Sequence, residues 1–232
     1  MKPTPRFRGP SLLLLAIVHL LIFASGLVAA AVLRHGARFA TPFAPAEELR
    51  TFLALSPTAV RVSNFFLFGS AIPFGIFAVT TVSRLRFLGV RAAGTNIALL
   101  GGLIATIALI LSGCVGWILS APEVLTSAPI VKAINFLNFL LGGAVFAVGF
   151  GLLAAGVSVT CYFMRLLPRW LVAFGMLMAL TGELSSLSLV AFPANFFIPI
   201  TRYLGFIWML SVAVALTGDR KEAQAALIGD AA

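Results

Sequence analysis

Residues 165–192 read RLLPRWLVAFGMLMALTGELSSLSLVAF. Arginines flank Pro168, Trp170 follows as an interfacial anchor, and the run then stays apolar for about the 20 residues that a bilayer-spanning helix needs. A single carboxylate, Glu183, interrupts it. Charged residues at this depth oppose insertion by about 2.5–3.5 kcal/mol, so the position calls for a partner or a function.

The rest of the composition agrees with a lipid solvent. Of 232 residues 61% are hydrophobic and 10% charged, with a mean hydropathy of +1.10. A soluble domain is about half apolar and about a quarter charged, and has too little interior for this much apolar surface. The net charge of +9 does not point to nucleic acid. The basic residues stand singly or in small groups at the ends of apolar runs, which orients membrane helices; no basic stripe with interleaved aromatics appears. The expected partners are membrane lipids.

Outward from residue 165 in both directions, the pattern repeats six times. Apolar runs cover about 11–33, 62–83, 92–119, 134–163, 170–192 and 196–217. The expected fold is all-α: a polytopic bundle of six transmembrane helices forming one domain. The first run is longer than the apolar core of a signal peptide and reads as a retained helix. The connection after it holds PAEELRTFLALSP, where Pro45, Glu47 and Glu48 mark a helix start and Pro57 a stop. Leu49, Phe52 and Leu53 share one side of this segment, which predicts a short helix lying in the headgroup region. Pro73, inside the second run, predicts a kink and a freed carbonyl.

In the fourth run Gly142, Gly149 and Gly156 recur every seven residues. Small residues at this interval let another helix approach closely, within the chain or from a second copy or a membrane partner. Cys114 and Cys161 fall near opposite membrane faces, so no disulfide joins them in this topology.

Five residues stand out as candidates for binding. Glu183 shares a face with Gly175, Ala179 and Ser186 by i, i+4 and i+3 spacing, which points it into the bundle. Arg202 lies across the short turn PANFFIP at a similar depth, about 9 Å against about 13 Å, and is the expected ion-pair partner. Such a pair either fixes helix register or marks a binding or proton-handling site; a protonated, unpaired Glu183 is the third alternative. His19 shares a face with Ala16, Gly26 and Ala30; packed and hydrogen-bonded is the plainer reading, a functional role the other. Asn64 and Asn138, with Asn135, cluster at the ends of the second and fourth runs, where they either line a polar vestibule or serve as helix-end solvation. No metal set, phosphate loop or catalytic motif is present in the sequence, and no cofactor is implied.

The order of these parts, with AVRVSNFF opening the second helix and LLPRWLVAFGMLMAL the fifth, resembles the DUF4386 family of bacterial integral membrane proteins. Leu167, Pro168, Arg169, Trp170 and Gly175 carry the likeness most strongly, and Arg61 adds to it. The resemblance implies a helical bundle in a bacterial inner membrane and supplies no activity or catalytic residue. Three function classes follow: a membrane protein that binds or passes a small solute, proton or lipid near Glu183 and Arg202; a structural or regulatory protein packed on a membrane partner; and a membrane enzyme acting on a lipid or isoprenoid.

Six spans put both termini on one face, with ten basic residues on that face against six on the other. The positive-inside rule makes this face cytoplasmic. A reporter fused after Ala232 is therefore expected to be active in the cytoplasm, and activity confined to the outside reverses the orientation.

Overall fold

The computed structural model describes residues 7, 9–34 and 41–216. His35 and the tail after Leu216 lie outside them. Among the described residues there are eight α-helices and no strand: α1 (Leu12–Leu33), α2 (Ala46–Leu55), α3 (Pro57–Phe87), α4 (Gly94–Ile118), α5 (Ala128–Leu140), α6 (Phe146–Phe163), α7 (Arg169–Leu184) and α8 (Phe197–Ala215). A π-helical segment, Leu141–Val145, joins α5 to α6 into one long rod. Six helices are long and apolar enough to cross a membrane, and the fold is an all-α polytopic bundle.

Successive spans pack side by side, α1 on α3, α3 on α4, α4 on α6, α6 on α7 and α7 on α8; α8 then returns to α1. The ring is closed. The rod that ends in α6 is its most enclosed member, with 67% of its span buried against 22% for α1. The reason lies in its glycines. A Cβ on Gly149 would sit 2.6 Å from the Ala105 nitrogen, and one on Gly156 2.5 Å from the Ala98 nitrogen, so backbone touches backbone between α6 and α4. Gly151 meets Gly182 and Ala179 of α7 in the same way. The Gly142/Gly149/Gly156 face is therefore covered from within the chain: Gly142 lies against Ser112, the other two against the α4 backbone. Gly149 and Gly156 are buried there and Gly142 is half-buried.

Several boundaries differ from the sequence expectation. The second span begins at Pro57, since proline fits the first turn of a helix where its missing N–H is not needed. Pro129 does the same for α5, which starts ahead of residue 134. The fifth span is α-helical only to Leu184 and tightens into a 3-10 turn over Ser185–Leu189, where Ser185 and Ser186 hydroxyls donate back to the Gly182 and Glu183 carbonyls. The helix inside PAEELRTFLALSP forms, as α2. It is docked on the bundle, with Leu49 and Leu53 buried against Val60, Leu119 and Val131. The turn after α3 closes on Gly89 at φ +95°, with Val90 N–H donating to the Leu85 carbonyl. Both cysteines are free, Cys114 exposed near the end of α4 and Cys161 buried level with its start.

Gly156→Val is expected to force α4 and α6 apart and to lower stability by about 1–3 kcal/mol or more. Gly69→Ala is the control, because its Cβ meets only Ile22 at an ordinary 3.6 Å. That change should be neutral or gain up to about 1 kcal/mol of helix propensity. Unfolding in mixed micelles reads both.

Candidate functional site

The seam between α7 and α8 is made by Thr181 and Thr201, whose hydroxyls hydrogen-bond at 3.0 Å inside the bundle. That contact decides where the two expected partners point. Each residue advances a helix by about 100°, so Arg202 turns one step away from the seam and Glu183 two. Glu183 is exposed on the outside of the bundle, on the last turn of α7. Its pairing with Arg202 is not formed: the one ion pair among the described residues joins Arg50 to Glu47 on α2, at 2.8 Å. The i+4 steps from Gly175 to Ala179 to Glu183 drift about 40° each, while Gly182, seven residues on, returns within about 20° of Gly175. The inward face is thus Gly175, Met178, Gly182 and Ser185.

Arg202 is half-buried, facing α1 and the π-helical segment. Its guanidinium donates to the Gly142 carbonyl and lies 4.9 Å from the Phe146 ring centre and 5.7 Å from that of Phe23. A π-bulge offsets the helix ladder, and such bulges recur at functional sites. Here the bulge contributes the acceptor and the following Phe146 a cation–π face. The Nε of Arg202 is buried with no partner among the described residues.

His19 belongs to the same cluster, a juxtaposition that periodicity alone does not reveal. It is fully buried on α1, ringed by Phe74 at 5.2 Å, Phe206 at 5.4 Å and Phe23 at 6.3 Å. Phe23 also faces Arg202, and Phe206 stands one turn below Arg202 on α8. His19 Nδ1 lies 2.8 Å from the Ser70 carbonyl. A carbonyl only accepts, so Nδ1 carries the hydrogen, and when the ring is neutral Nε2 is bare. That Nε2 has no partner among the described residues. Ser70 follows Gly69, whose carbonyl loses its donor to Pro73 four residues on. Histidine thus binds at the loosened turn, and α3 continues as a helix through Pro73.

The asparagines do not share one vestibule. Asn138 Oδ1 accepts from Ser112 at 2.6 Å and ties α5 to α4. Asn64 donates to Val60 within its own helix and packs over Gly116, away from the Arg202 cluster. Asn135 holds the segment before α2 instead: it donates to the Pro42 carbonyl at 3.0 Å. Lys132 donates to the same carbonyl at 3.2 Å and to that of Ala44. Phe43, held between these anchors, inserts against Phe139 at 5.1 Å and Phe192 at 4.4 Å.

Two further groups escape a reading by motif. Trp208 Nε1 and Ser158 Oγ are buried without partners among the described residues, and both lie against Gly175, where a side chain would strike them. Arg84, buried at the other end of the bundle, donates to the Leu216 carbonyl at 2.9 Å and lies over Phe7 and Phe87. A cation at the end of α8 is where the helix dipole favours one. Among the described residues no three His, Cys, Asp or Glu side chains converge as metal ligands.

Compared with protein-family models, with curated proteins and with solved structures, the chain matches none.

His19→Phe keeps the ring and removes the bond to Ser70, so it is expected to lower stability by about 1–3 kcal/mol. His19→Ala adds a cavity and should cost more. Equal stability of His19→Phe and the wild type in micelle unfolding would show that the ring alone holds α1 to α3.

Proposed function

We propose that this chain is a multi-pass membrane protein that binds a small anionic group, a carboxylate or a phosphate, at Arg202. One observation carries the reading: a guanidinium set about 8 Å below the start of α8 with an unpartnered Nε and no carboxylate paired to it among the described residues. An uncompensated charge inside a membrane bundle is unfavourable, and such residues generally serve pathways or ligands. An anion offsets that charge and uses the spare donor through a charge-assisted hydrogen bond. His19 supplies a second unpartnered nitrogen nearby, an acceptor when neutral and a donor when protonated, so a proton can accompany the anion. Glu183 has no part in this reading.

A second reading treats Arg202 as a staple between α8 and the π-helical segment, with function residing in contacts to another membrane protein. The bond to Gly142 and the two aromatic faces favour it. The likeness to DUF4386 proteins and the excess of basic residues on the terminal face support a bacterial inner membrane with both termini cytoplasmic.

The test is thermal unfolding of the purified chain in micelles, with inorganic phosphate and with acetate as probes. One of them is expected to raise the midpoint of the wild type and leave Arg202→Met unchanged. A ligand at 100 times its Kd stabilises by about 2.7 kcal/mol, well within detection. No shift in the wild type, or an equal shift in Arg202→Met, removes the anion site. A large loss of stability in Arg202→Met without any anion response selects the staple.

A further inference from the structure

A second basic residue stands at the mouth of a groove that is separate from the Arg202 cluster. On α4, Gly113 and Gly116 carry no side chains, and α3 closes on them directly: a Cβ at Gly113 would lie 2.9 Å from Phe68 Cβ, and Asn64 rests on Gly116. Beside this line of contact the two helices leave a cavity of about 640 Å³, open to the outside of the bundle. Its walls are Phe65, Phe68, Cys114 and Trp117, and its polar end is Asn64 and Arg61. From Arg61 to Phe68 the groove descends seven residues of α3, about 10 Å, within the half-thickness of a 30 Å hydrocarbon core. Two helical turns are too short a seat for another transmembrane helix and suit one acyl chain.

Arg61 is exposed, and its Nε donates to Ser120 Oγ at 3.4 Å across the top of the groove. Among the described residues its terminal nitrogens have no protein partner, and no carboxylate pairs with it. Trp117, 49% exposed, sits on the opposite wall at the level where tryptophan meets the headgroups. A guanidinium offers two parallel N–H donors that match a phosphate, which an ammonium does not.

We propose that the α3–α4 groove is a binding site for a phospholipid with an anionic headgroup. One acyl chain lies along Phe65, Phe68 and Trp117, and the headgroup phosphate sits on Arg61. The site does not depend on the Arg202 reading, and neither Arg202 nor His19 lines it.

The test uses the full chain carrying Trp170→Phe, reconstituted in phosphatidylcholine vesicles. Trp117 then reports on the groove, while Trp208 is fully buried and contributes a constant signal. Brominated phosphatidylglycerol and brominated phosphatidylcholine are titrated in parallel as quenchers. Phosphatidylglycerol is expected to quench Trp117 saturably, at a mole fraction about fivefold lower than phosphatidylcholine, the scale of one basic residue at an anionic surface. Arg61→Gln should make the two curves coincide. Cys114→Phe places a ring in the groove and leaves Arg61 intact; it decides the matter should Arg61→Gln not fold, and the preference should again vanish. Equal quenching of the parent by both lipids overturns the site, as does a preference that survives either variant. Quenching that depends on the protein-to-lipid ratio and ignores the headgroup puts a second copy in the groove and overturns the lipid.

Discussion

Everything in this bundle depends on how closely α4 and α7 approach α6. In lipid no water-driven force gathers apolar helices, and packing has to come from contact between backbones. Gly149 and Gly156 provide it on one side of α6 and Gly151 on the other. Because no side chains intervene, the large residues are displaced to the remaining side, where Phe146, Phe150 and Leu153 fill the interior of the ring. The aromatic cage around His19 and Arg202 is a consequence of that displacement. Phe146 faces the guanidinium because the glycines hold its helix at this depth and rotation.

The number of spans, their order and the short helix before the second were legible in the sequence, since hydropathy and proline positions act locally. Helix rotation was not. Glu183 reads as inward from Gly175 and Ala179, but four-residue steps gain on the helix, and after two of them the drift of about 80° exceeds half the width of a buried stripe. The residue that fixes α7 is Gly182, which the intervals counted from Gly175 pass over. Arg202 was identifiable as an intramembrane charge; its acceptor was not, because a backbone carbonyl in a π-helical segment leaves no mark except the pair Gly142 and Gly143. The face His19 shares with Ala16 and Gly26 points it inward, and it is fully buried. Its company, Phe206 from the far end of the chain, is tertiary.

Most polar groups at depth find a partner among the described residues; Trp208 Nε1 and Ser158 Oγ, at Gly175, do not. Thr81, Thr106, Thr160 and Ser211 return their hydroxyls to their own helices and need nothing from neighbours. Ser112 with Asn138 and Thr181 with Thr201 pair across helices. Against that background the unpartnered nitrogens of His19 and Arg202 stand out. Both sit where α1, α3, the π-helical segment and α8 meet.

The closed order of the ring has a consequence for synthesis. α1 precedes α8 by more than 160 residues of chain, and only when α8 docks do Phe206 and Arg202 cover Phe23 and His19. Until then His19 keeps its α3 partners Ser70 and Phe74, while the Phe23 ring lacks its Phe206 neighbour. A chain cut short after α7 therefore keeps seven of the eight described helices and the packing of α1 on α3, but leaves open the side of α1 that α8 covers.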